Sequence, residues 1–102
     1  MEFSIRIAYK RPSTDVNWWK SSKDYENYME KTYDDTGKRL SVAREGEDTL
    51  ERTVTTVWKD QESFFEFKTD AIVNTRLTES AEYRDANGIE KTRVENKEGF
   101  FD

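Results

Sequence analysis

Apolar and polar residues alternate at the start of the chain, with Phe3, Ile5, Ile7 and Tyr9 set between Ser4, Arg6, Ala8 and Lys10. A period of two predicts a strand with one apolar face. Arg11-Pro12-Ser13 ends it, because proline offers no amide hydrogen to a ladder and keeps its predecessor extended. A loop with two adjacent indoles, Trp18 and Trp19, follows. In Ser21-Ser22-Lys23-Asp24 a hydroxyl and an acid stand where a capping box opens a helix. Tyr25, Met29 and Tyr33 then recur every four residues, with Tyr28 and Thr32 beside them, while Glu26, Asn27, Glu30, Lys31 and Asp34 fall on the other side. This predicts a helix to about Thr36, stopped by Gly37.

Leu40 and Val42 mark a short second strand, Glu45-Gly46-Glu47-Asp48 a turn, and Thr49 to Trp58 a strand rich in β-branched residues. On that third strand Leu50, Val54, Thr56 and Trp58 share one face and Thr53, Thr55 and Val57 the other. Neither face is fully polar, so the second one is expected to pack on something or line a cavity. Asp60 is a natural N-cap for a short helix buried through Phe64, Phe65 and Phe67. Thr69-Asp70 restarts the signal, and Val73, Leu77 and Ala81 carry a further helix to Asn87-Gly88. Ile89 to Glu95 supplies a last, polar strand. The order β-α-β-β-α-β predicts an α+β, ferredoxin-like fold: one domain over residues 1–102, an antiparallel sheet with its helices on one face.

Composition adds a constraint on assembly. Apolar residues make up 33% of the chain and charged ones 38%, so the core is small and rests on the 14% that are aromatic. A second copy covering one sheet face would add buried area, and a homodimer is expected on that ground. The net charge of -5, with acids and bases interspersed, disfavours a nucleic-acid partner. No apolar run approaches the length of a membrane span and the first residues do not resemble a signal peptide, so a soluble, cytoplasmic protein without a membrane partner is expected.

The chain has neither cysteine nor histidine, which removes disulfides, thiolate chemistry, Ser-His-Asp triads and imidazole ligands together. No cofactor and no metal site is predicted. Asp34-Asp35 and Glu45-Gly46-Glu47-Asp48 read as solvated turns, since neither matches a calcium loop.

The stretch Thr56-Val57-Trp58-Lys59-Asp60-Gln61-Glu62-Ser63-Phe64-Phe65 resembles the strand-tryptophan-helix segment of the dimeric α+β barrel superfamily, and within it the antibiotic biosynthesis monooxygenase-like group. That resemblance implies two sheets closed face to face, with a cavity between each sheet and its own helices. Haem degradation, found in parts of the group, is excluded with histidine. Cofactor-free oxidation in the group is associated with Trp, Asn and Arg around the cavity, and of these only Trp58 maps onto the motif. A second segment, Glu82 to Ile89, resembles small marine phage proteins.

Trp58, Tyr25, Tyr28 and Phe64 are the candidate walls of a cavity for a small apolar or aromatic ligand, although large aromatics more commonly form core. Trp18, Trp19, Phe100 and Phe101 are candidate interface anchors, because adjacent aromatics in a loop and near a terminus tend to dock on something. Arg6, Arg52 and Arg93 fall on strands, where they line the second face, pair with Glu51 or Glu95, or hold an anionic ligand. Three functions follow: a homodimeric binding or accessory protein, a cofactor-independent monooxygenase acting on an aromatic substrate, or a structural and interaction protein.

Overall fold

The computed structural model describes residues 1–96. Strands β1 (Phe3–Lys10), β2 (Arg39–Glu45), β3 (Glu51–Trp58) and β4 (Glu90–Asn96) form one antiparallel sheet in the order β2-β3-β1-β4. Helix α1 (Lys23–Met29), continued by a π-helical turn over Glu30–Asp34, joins β1 to β2. Helices α2 (Gln61–Thr69) and α3 (Ala71–Asn87) lie between β3 and β4. The architecture is α+β and fits a ferredoxin-like arrangement, with the second helical region broken in two at Asp70.

Register decides which residues meet the helices. Phe3 lies opposite Trp58, Ile5 opposite Thr56, Ile7 opposite Val54 and Tyr9 opposite Arg52. Directly opposed residues share a face, and this is the covered one: Phe3, Ile5 and Trp58 form one buried cluster with Met29, Tyr33, Phe64 and Val73 from the helices. The outer face carries Ser4, Arg6 and Ala8, opposed by Val57, Thr55 and Thr53.

Trp58, only 1% exposed, is the centre of that cluster. Its ring meets Tyr33 at 5.9 Å and Phe64 at 5.5 Å edge to face, and Phe67 at 4.9 Å tilted. Its indole N–H donates to the Thr56 hydroxyl at 3.0 Å, so the polar edge is satisfied without leaving the core. Phe65, expected among the buried faces of α2, points outward instead at 56% exposure, because Phe64 and Phe67 already occupy the side facing Trp58. Leu50 is also exposed, since β3 begins at Glu51 and leaves Leu50 in the turn.

The junction of the helices is a single carboxylate. Asp70 caps α3 by accepting the Ile72 and Val73 amides on Oδ1, and on Oδ2 it accepts the hydroxyls of Tyr28 at 2.5 Å and Tyr33 at 2.7 Å. The π-helical turn, closed by Asp35 N–H donating to the Glu30 carbonyl, brings residues five apart nearly into line, and Tyr28 and Tyr33 are such a pair. Burial on its own would raise the Asp70 carboxyl, but the Tyr28, Tyr33, Val73 and Ile72 donors outweigh it and hold the group below its ordinary 3.8. Tyr33 is shifted upward by burial and by its bond to Asp70, and Tyr28 by that bond first and burial second.

Two outcomes are expected. Trp58→Phe should lower unfolding free energy by about 1–3 kcal/mol in urea denaturation, through lost ring volume and the lost Thr56 bond. For Asp70 the folded value is depressed, so its contribution is complete above the unfolded carboxylate pKa and disappears as pH falls through the folded one. Urea midpoints of the wild type should therefore fall as the pH drops below the ordinary carboxylate value, and Asp70→Asn should be less stable at neutral pH with a flatter acid limb. A parallel acid limb in the variant would assign the decline to other carboxylates.

Candidate functional site

Along the covered face, the apolar residues give out toward the Arg52 end of β3. A cleft of about 840 Å³ opens there, between the sheet, α3 and the Trp18–Trp19 loop. Ile7 and Val54 supply its apolar floor from β1 and β3, and Leu77, 37% exposed on α3, faces the same space.

The loop wall is built from Arg11, the residue at which β1 ends. Its guanidinium donates from Nε to the Thr49 carbonyl at 2.9 Å, from Nη1 to Val16 at 2.9 Å and from Nη2 to Glu47 at 3.1 Å. A planar fork of donors suits three fixed carbonyls as a lysine ammonium would not. The Trp18 indole donates to the same Glu47 carbonyl at 2.8 Å, and Tyr83 on α3 donates to the Asn17 carbonyl at 2.7 Å. The loop is thereby tied both to the β2–β3 turn and to the helix across the cleft. That turn depends on Gly46 at φ 73°, where a Cβ would lie 2.4 Å from the Glu51 carbonyl oxygen.

Cations and rings alternate along one wall. Arg11 lies 4.7 Å from the Trp18 ring, Arg52 4.9 Å from Trp18 and 5.7 Å from Tyr9, and Arg84 5.2 Å from Tyr9. All five residues line the cleft. Each contact contributes about 0.5–2 kcal/mol, more as water is excluded. Carboxylates are scarcer: Glu47 stands 3.8 Å from Arg44 and 3.9 Å from Arg52, beyond hydrogen-bond length for both. Arg84 donates to the Ser80 hydroxyl at 2.7 Å and has no carboxylate partner among the described residues.

Electrostatics register the shortage. Burial lowers the pKa of Arg52 against the opposing pull of Glu47 and Tyr9, although a guanidinium remains charged throughout the ordinary pH range. Burial raises Tyr9, with Arg84 and Arg52 opposing. Lys91, cross-strand from Tyr9, is lowered by burial and then by Arg84 and Lys68. The arrangement is a recess with an apolar floor and more basic than acidic side chains, suited to hold a ligand, in a chain without histidine.

The residues singled out in the sequence fall in three places. Trp58 and Phe64 are core, Tyr28 is engaged with Asp70, and Tyr25 packs on the core beside a second recess of about 510 Å³. The Tyr25 phenol is pushed up to about 12 by burial, with Asp70 and Tyr28 adding and Arg39 opposing. None of these four lines the 840 Å³ cleft. Trp18 and Trp19 do, Trp18 at 8% exposure and Trp19 half-buried; Phe100 and Phe101 lie outside the described residues. Arg52 faces the helices, Arg93 pairs with Glu95 at 3.0 Å, and Arg6 is exposed on the outer face. Asp34 accepts both Nε and Nη2 of Arg39, at 2.6 and 2.9 Å, and no group of acids suited to a metal ion forms among the described residues.

Hydrophobic patterning does not mark Tyr9, Arg11 or Arg84 as site residues, although simple parity points to two of the cleft's residues. Tyr9 follows Phe3, and Arg52 precedes Trp58, by an even number of strand positions, so both share the covered face.

Arg11→Lys should keep the charge but lose the fork, lowering stability by about 1–3 kcal/mol and speeding hydrogen exchange at the Trp18 indole. Unchanged indole exchange would show that Arg11 does not hold the loop.

No protein-family model, no curated protein and no solved structure matches the chain.

Proposed function

We propose that this chain is a small-molecule-binding protein with a ferredoxin-like fold, that its site is the cleft between the sheet and α3, and that two copies associate through their outer sheet faces as a dimeric α+β barrel. The observation that carries the reading is the unfilled half of the covered face. Ile7, Val54 and Leu77 line a space in the volume range of ligand pockets instead of closing it. The binding class is favoured over catalysis because the chain has neither histidine nor cysteine and its cleft is lined by ring-stacked and carbonyl-bound arginines.

The dimer is supported by the outer face, where Ala8, Thr53, Thr55 and Val57 form a patch of small, uncharged side chains with Arg6 lying among them, opposite Thr55. Half-buried threonine and valine on an uncovered sheet suit a second sheet better than bulk water. One observation favours the oxygenase as a second reading: Asn17, Trp18, Trp19 and Arg52 gather in the cleft, the residue types that the resembled group uses around its cavity. Oxygen uptake with a naphthol that depends on Arg52 would move the assignment from binder to enzyme.

Native mass spectrometry of the purified chain should give a dimer that releases a small molecule at raised collision energy. Thr55→Glu, which sets a carboxylate opposite Arg6 within one sheet but against its own copy across a two-fold, should sediment as a folded monomer. A wild type that is monomeric at all accessible concentrations would remove the barrel, and an unaltered dimer in the variant would place the contact elsewhere.

A further inference from the structure

Resting on the reading of the cleft as a ligand site, we propose that its ligand is a flat organic anion: an aromatic body over the Ile7–Val54 floor, with a carboxylate at the Arg52–Arg84 end. A protein of net charge -5 has acids in excess, yet it lines this recess with Arg11, Lys20, Arg44, Arg52 and Arg84 against only Glu26, Glu47 and Asp48. Basic side chains are ordinarily matched by carboxylates when they leave water. Arg11, Arg52 and Arg84 are held instead by π faces, carbonyls and the Ser80 hydroxyl, and the Glu47 carboxylate stands 3.8 Å from Arg44 and 3.9 Å from Arg52. The field therefore stays open to an anion from outside.

The positive groups differ in availability. Arg11 has its fork occupied by three carbonyls and serves the scaffold. Among the described residues Arg52 has only Glu47, 3.9 Å away, as a carboxylate neighbour, and its buried Nε finds no acceptor there. That nitrogen is sealed from solvent, so a carboxylate would meet the Nη groups of Arg52. Arg84 lies on the next ring of the same column, with Ser80 as its one hydrogen-bond partner on the described surface. Each of the two guanidinia, held over the Tyr9 ring, offers a carboxylate in the cleft charge-assisted donors. Ile7, Val54 and the indoles of Trp18 and Trp19 give the rest of such a molecule an apolar surface.

The test is a two-dimensional ¹H–¹⁵N NMR titration of the full chain with 2-naphthoate and, separately, with its neutral isostere 2-naphthamide. The Arg52 Nε–H, shielded from water, and the Trp18 indole N–H are the reporters. Naphthoate should shift both saturably and bind at least about tenfold more tightly than the amide, with Arg52→Gln and Arg84→Gln each reducing its affinity about ten- to a hundredfold. If the amide binds as well as the acid, the anion requirement falls while the cleft stands as an apolar site. If neither ligand moves either reporter, the cleft reading falls with it. The comparison of acid and amide uses the wild type alone, so a variant that fails to fold leaves the answer intact.

Discussion

The covered face of the sheet is longer than the apolar side chains available to fill it, and the rest of the structure follows from that shortage. At the Trp58 end the chain meets its need with aromatic volume: Phe3, Tyr33, Phe64 and Trp58 close a core from few residues. At the other end rings and guanidinia share the space, and the same face continues as Tyr9 and Arg52 with Trp18 beside them. Leaving Arg52 in that position is tolerable because an arginine stacks on rings as well as it pairs with acids.

The two halves are rigid for different reasons. Around Trp58 the order comes from packing density and edge-to-face ring contacts, with Asp70 fixing where the helices enter. Around Arg52 it comes from polar ties of fixed geometry, chiefly the Arg11 fork and the Trp18 indole, which converge on the carbonyls of the β2–β3 turn. Such ties frame the recess without filling it.

Much of the architecture could be read from the chain. The alternation at Phe3 to Lys10 gave β1, the Ser22 and Asp60 caps placed two helix starts, and Gly88 ended α3 at φ 69°. The second break at Asp70 was visible as well, but not that its carboxylate gathers two tyrosines, because nothing local signals a π-helical turn. Phe65 was misplaced since three phenylalanines in four positions cannot all face one core. The cleft was the least legible part. Its residues come from β1, β3, α3 and a loop, they are charged rather than apolar, and hydrophobic patterning passes over them. Trp58 is a large side chain at a strand end, and such side chains are what cores are made of.

Gly46 touches none of the cleft's rings or cations, yet it governs their company. Its left-handed backbone sets the tight turn that delivers the Glu47 carbonyl to Arg11 and Trp18 and the Glu47 carboxylate toward Arg44 and Arg52. A side chain there would collide with the Glu51 carbonyl and shift main chain and acid together. The cleft's shape and charge are thus set partly by a residue with no functional group, and a search confined to the lining would pass it by.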